Sequence, residues 1–315
     1  MALLSPDIPL SSTRTLRHDI DSIAMPPAAM GFALAAFLMF SCLDAGAKWL
    51  VTGGYAVLFV AWVRFAVQGI VLFVVYRGWR NARLWRMENR LLQTVRGLLL
   101  PAMTVFNFLA LRHLQLAETV SVLLATPILV TILAGPLLGE WAGPRRWAAI
   151  LVGFAGVLLV VRPGTEMFDL PVVFILAAMT CNGFYFILTR KLAARETPES
   201  LIFYSCLFAI VIFAPFAFTE GVAPAELLDV AVFVVVGLAG MVGHMALIRA
   251  SRLADASKVS PFQYSQVIWM AAFGFFIFGD LPDLWTVAGT LVICASGLYL
   301  MNRERQIRRK RRAPA

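Results

Sequence analysis

Residues 117–138 read AETVSVLLATPILVTILAGPLL. These 22 positions contain one charge, Glu118, at the second place. A helix rises 1.5 Å per residue, so about 20 apolar residues cross a hydrocarbon layer about 30 Å thick. The run is continuous rather than alternating, and in lipid a helix satisfies every backbone group within its own segment. It therefore reads as a membrane-spanning helix. Nine further runs have the same character, near 28–51, 55–76, 96–114, 145–162, 168–189, 199–218, 228–249, 258–279 and 284–301. The expected fold is all-α and integral to the membrane, with ten transmembrane helices.

Composition agrees with this reading. Of 315 residues, 60% are hydrophobic and 14% charged, against about 25% charged in an ordinary soluble domain. Ten spans leave no room for a sizeable soluble domain. The net charge of +9 would suit nucleic acid, but the basic residues sit in short connections and tails, where they encode topology. Connections after even-numbered spans hold Arg77, Arg80, Arg83, Arg86, Arg90, Arg145, Arg146, Arg190, Lys191, Arg195, Arg249, Arg252 and Lys258. With Arg14, Arg17 and the basic run from Arg303, that side carries 22 basic residues. The other side carries three, Lys48, Arg112 and Arg162. By the positive-inside rule both termini are cytoplasmic, in a bacterial inner membrane. Neither a nucleic-acid partner nor a cofactor is expected. The four cysteines, Cys42, Cys181, Cys206 and Cys294, lie in apolar runs without CxxC spacing and read as small buried hydrophobes rather than metal ligands. The leader before the first run is not read as a cleaved signal, because that run is of spanning length and carries Asp44 and Lys48.

The opening stretch has a second copy. TPILVTILAGPLLGE, residues 126–140, ends on Gly139 and Glu140, and SQVIWMAAFGFFIFGD, residues 265–280, ends on Gly279 and Asp280. Each is followed by a polar connection, a Trp (Trp147, Trp285), and an apolar run that closes on a glycine before an arginine, Gly156 with Arg162 and Gly297 with Arg303. Upstream, Phe40-Ser41-Cys42 parallels Met179-Thr180-Cys181. The organisation read from this is a cytoplasmic tail over 1–27, a five-helix repeat over 28–162, a second over 168–302 and a basic cytoplasmic tail over 303–315. Five is odd, so the second repeat enters from the opposite face. Inverted-topology repeats are the arrangement that supports alternating access.

In order and spacing the chain resembles the EamA-type family of the drug/metabolite transporter superfamily. The resemblance rests on Asp44 and Lys48, on Trp62-Val63-Arg64-Phe65, on Pro127 through Glu140, and on Gly153-Phe154-Ala155-Gly156-Val157. It continues in Ala250-Ser251-Arg252-Leu253-Ala254, Ser260-Pro261-Phe262-Gln263-Tyr264 and Phe278-Gly279-Asp280-Leu281-Pro282. The second half departs in lacking a counterpart of Pro127 and in having Asp280 where Glu is usual. The resemblance implies a cavity between the halves, lined by spans 1, 3, 4, 6, 8 and 9. The second-half pattern is similar to the branch that transports riboflavin, S-adenosylmethionine and metallophores.

Polar residues inside spans are the candidate site, since an ionisable group at mid-membrane costs about 2.5–3.5 kcal/mol on insertion scales and needs a partner or a wet cavity. Asp44 on span 1 and Arg64 on span 2 have equal depth around the Gly53-Gly54 turn, so an ion pair between them is expected. It would either fix the hairpin or couple transport. Lys48 is expected to snorkel toward the interface. His244 is either a packed histidine or a proton carrier. Gln263, Tyr264, Gln266 and Trp269 crowd span 9, and Asn107, Thr126, Asn182 and Tyr185 add amides and hydroxyls on spans 3, 4 and 6. With Asp44 and Arg64 committed to each other, amides and aromatic rings suit a neutral, planar heterocycle. Among the solutes implied by the resemblance, riboflavin moved inward is then the first choice. S-adenosylmethionine, amino acids or an opine metallophore, imported or exported, are the alternatives. The rival of another class is a membrane-embedded enzyme or sensor. No GxxxxGK[ST], HExxH or GxSxG motif is present, which argues against ATP-driven transport by this chain alone and against a membrane protease or esterase. A homodimer is compatible with this reading.

Overall fold

The computed structural model describes residues 25–139, 141, 143–162, 170–192, 195–224, 226–254 and 259–312. Arg14, Arg17, Glu140, Lys258 and residues 313–315, all used in the sequence reading, lie outside the described residues. The described residues are helical, and nine helices among them are long and apolar enough to cross a membrane.

The chain opens with α1 (Pro27–Thr52), which has Pro27 at its first turn, where no backbone donor is needed. Gly53 and Gly54 turn it into α2 (Val57–Val75). Asn89 caps α3 (Arg90–Leu111) by accepting from the Leu92 amide at 3.1 Å. Gln115 and Glu118 form a capping box at the start of α4 (Leu116–Leu123). The chain then breaks at Leu124 and Ala125, just before Pro127, and resumes as α5 (Thr126–Leu138). Five longer helices follow: α6 (Pro144–Val161), α7 (Leu170–Leu192), α8 (Pro198–Glu220), α9 (Leu227–Leu253) and, after an interrupted stretch, α11 (Leu284–Arg312).

The interrupted stretch is where structure and sequence differ most. Residues expected as one span near 258–279 form a 3₁₀ turn (Ser260–Ser265), a short α10 (Gln266–Phe273) and a π turn (Gly274–Phe278). Pro261 removes a donor at the start, and the wide last turn lets Asp280 N reach Gly274 O at 2.9 Å. Elsewhere the boundaries shift by a few residues. α3 starts at Arg90 rather than near 96, and α11 runs past the apolar region into the basic tail. The glycines of the two sequence copies correspond in conformation. Gly139 after α5 and Gly279 after the π turn both have φ +71°, the left-handed C-terminal geometry open to glycine at no steric cost.

The major helix pairs join residues before 162 to residues after 169. They are α1 with α9, α2 with α8, α3 with α7, and α6 with α11. Glycines allow the closest crossings. A Cβ on Gly156 would lie 2.9 Å from Gly289 O, and one on Gly289 would lie 2.6 Å from Gly156 O. Gly237, Gly240 and Gly243 of α9, three residues apart, take Val67, Leu43 and Phe40 against their bare faces as a close-packed seam. The surface is inverted relative to a water-soluble protein. Phe218 and Phe276 are 79% and 80% exposed, while Gln68, Gln93 and Ser200 are fully buried. Apolar rings outside and amides inside are what a hydrocarbon solvent selects. The protein is a multi-pass membrane protein.

Candidate functional site

The polar interior is built from one face each of α1, α2 and α3, and is closed by α9. Ser41, Asp44 and Lys48 share a face of α1, as their spacing requires, and all three are buried. Ser41 is used locally, donating to Phe37 O at 2.9 Å. Asp44 Oδ1 accepts from Asn107 Nδ2 at 2.9 Å. Arg64 on α2 donates through Nη1 to Thr104 Oγ1 at 2.6 Å and lies over the Phe65 ring at 4.4 Å. Thr104 and Asn107 are three residues apart on α3, so one helix face holds both charged groups.

The geometry does not contain the direct Asp44–Arg64 bond expected from equal depth. Each charge bonds a neutral side chain of α3, and the two act on each other only through space. Lys48, expected to snorkel, has partners of its own. Its Nζ bonds Asp280 Oδ2 at 2.6 Å and Leu114 O at 3.1 Å, and lies over Phe278 at 4.8 Å. At the same end Arg162 meets Asp283 at 2.6 Å. Asp283 lies outside the spans. Burial pulls its carboxyl upward, but hydrogen bonding from Thr286 and the Arg162 charge outweigh this and hold it below the usual carboxylate value.

Arg96, read in the sequence only as the start of a span, is 2% exposed. It donates to Thr189 Oγ1 at 3.1 Å, to Ser205 Oγ at 3.2 Å, to Leu201 O, and to Tyr185 Oη at 2.5 Å, with the Tyr185 ring 4.3 Å away. Tyr185 is thereby engaged by Arg96. The signal for Arg96 was present: Gln93, Arg96, Thr104 and Asn107 form a polar stripe along α3. Gln68, four residues after Arg64, was also missed, and neither atom of its amide has a partner.

The other candidates fall into smaller groups. Asn182 Nδ2 donates to Thr126 Oγ1 at 3.2 Å, and Thr126 Oγ1 donates to Leu123 O at 2.5 Å, across the α4–α5 break. Gln263 and Gln266 are half-buried, with no side-chain hydrogen bond among the described residues. Tyr264 Oη and Trp269 Nε1 are buried and unpartnered. His244 packs edge-on against Phe40 at 5.1 Å.

The interior thus carries a carboxylate and two guanidiniums, none bound to a charge of opposite sign among the described residues, with unpartnered amide and indole atoms. Such groups are costly in a membrane unless a partner or a wet cavity completes them. The EamA-like transporter family matches residues 27–162 and again residues 169–303. The chain belongs to that family. Among EamA-like relatives, the S-adenosylmethionine uptake transporter of Rickettsia prowazekii (strain Madrid E) is 30% identical over 251 residues, 78% of this chain and 83% of that protein. The riboflavin transporter of Rhizobium johnstonii is 25% identical over 193 residues, 61% of this chain and 64% of that protein. One solved crystal structure superposes with a TM-score of 0.62 at 20% identity, covering 89% of this chain and 99% of that one, a likeness of fold.

Proposed function

We propose that this EamA-like protein is a secondary transporter of S-adenosylmethionine. The observation that carries this is Asp44, a buried carboxylate bonded to an amide and to no cation among the described residues. A buried carboxylate without a cation is costly, and a cationic solute supplies the missing charge. The expectation of riboflavin depended on Asp44 being neutralised by Arg64. Without that bond the preference for a neutral ring falls away, and the name of the Rickettsia relative points the same way. Tyr264, Trp269, Gln263 and Gln266 remain the groups available to an adenine ring, through stacking and edge hydrogen bonds.

Movement is by alternating access between two inverted five-helix repeats. Counting residues 260–278 as a broken crossing makes ten. The helix pairs support this. Exchanging each helix for its counterpart in the other half turns α1–α9 into α7–α3, and leaves α2–α8 and α6–α11 as they are. With the basic connections inside, both termini are cytoplasmic.

The test is uptake of labelled S-adenosylmethionine into proteoliposomes, chased with unlabelled S-adenosylmethionine or riboflavin. Saturable uptake that only the former displaces is expected, with at least a tenfold loss on Asp44→Asn, about 1.4 kcal/mol or more. Riboflavin uptake without S-adenosylmethionine uptake would reverse the assignment.

A further inference from the structure

Among the buried polar atoms without partners, four belong to Arg64, Gln68 and Asn107 and fall into two chemical sets. The donors are Arg64 Nε and Gln68 Nε2, both on α2, and an acceptor on α3 is Asn107 Oδ1. The fourth is Gln68 Oε1, the other end of the same amide. Asp44, on α1, adds a carboxylate whose second oxygen has no partner among the described residues. Arg64 and Gln68 are one turn apart on one face and converge on Gly240 of α9. The point a Gly240 Cβ would occupy lies 3.0 Å from Gln68 Oε1 and 3.7 Å from Arg64 Nε. Gln68 is fully buried and Arg64 is 4% exposed. Leaving a buried donor or acceptor unbonded costs about 1–3 kcal/mol, more when charged, so so many together point to groups that an occupant completes.

We infer that this cluster is a subsite for the head group of an α-amino acid. The carboxylate, an acceptor, takes the Arg64 and Gln68 donors. The ammonium, a donor, takes Asp44 and Asn107 Oδ1. The two ends of the head group match the two sets in sign and in hydrogen-bonding sense. Gly240, lacking a side chain, lets Gln68 and Leu43 approach α9 closely beside Arg64. This rests on the transport reading above and adds to it the group that is recognised and its orientation.

The test measures ligand binding to the full chain in nanodiscs, with S-adenosylmethionine and its decarboxylated analogue, and with methionine and 3-methylthiopropylamine, its decarboxylated amine. In the wild type each carboxylate-bearing ligand should bind at least about tenfold more tightly than its partner, the worth of a charge-assisted bond. Arg64→Gln should shrink that ratio to about threefold or less. Gln68→Met, which removes no hydrogen bond present in the structure, should also reduce the ratio, and so should Gly240→Ala, whose methyl would press on Gln68 Oε1 at 3.0 Å and on Leu43 at 3.1 Å, beside Arg64 Nε at 3.7 Å. A purely structural role for these residues would weaken both members of a pair equally, and that result would overturn the inference. So would equal wild-type binding within each pair, or failure of folded wild-type protein to bind either carboxylate-bearing ligand. Methionine binding without S-adenosylmethionine binding would overturn the proposed substrate and uphold the head-group subsite.

Discussion

At the scale of single residues, the polar interior is wired through neutral groups of α3: Thr104 takes Arg64 and Asn107 takes Asp44. Asp44 and Arg64 do sit on neighbouring helices and share a partner helix. A guanidinium on a long stem chooses among acceptors by rotamer, however, and Arg64 reaches Thr104. Lys48 likewise finds Asp280, 232 residues away, a pairing no local spacing reveals. Arg96 shows how far one planar fork can reach, touching α7 and α8 at once. Lysine offers one ammonium and no fork. Arg96→Lys should therefore lower stability by about 1–3 kcal/mol, read as a fall in the detergent melting temperature. Unchanged melting would show that these bonds contribute nothing net.

At the scale of elements, the caps and stops were the readable part. Asn89, Thr197 and the Gln115–Glu118 box begin helices where their chemistry predicts, and the matched Gly139 and Gly279 end corresponding segments in the same left-handed turn. Adding a Cβ at φ +71° costs about 1–2 kcal/mol for an L-residue. Nothing lies within 4 Å of the position at either glycine, so Gly279→Ala and Gly139→Ala should each destabilise through the backbone alone and to a similar extent. Unequal losses measured by thermal unfolding would mean that the two turns are not equivalent. The interrupted stretch over residues 260–278 was half readable. Pro261 announces a break, but a π turn depends on where Asp280 is held, which is a matter of tertiary packing.

At the scale of the whole molecule, bonds tie the halves at both ends. At one end Lys48–Asp280 and Arg162–Asp283 join residues before 163 to residues beyond 279. At the other, Glu196 accepts from the amides of Glu88 and Asn89, and Ser200 and Tyr204 donate to Arg86 O and Trp85 O. The first end is ionic, and Asp283 keeps its charge below the usual carboxylate range, so its bond survives mild acid and is lost only as pH falls through that lowered value. Neutralising this end with Asp280→Asn and Asp283→Asn should open it more often. In a background without native cysteines, Leu114→Cys should then react at least a few-fold faster with a membrane-impermeant thiol reagent. An unchanged rate would mean that the ion pairs do not hold that end shut.

The crossing of α6 over α11 differs in kind from these ties. At Gly156 and Gly289 backbone rests on backbone, with the branched side chains of Ile293 and Val160 packed beside it. If the halves rock, that contact is the fiducial mark of the molecule. Paired spin labels on the solvent-side ends of α6 and α11 should report one narrow distance with and without solute, and every other displacement in the protein can be measured from there.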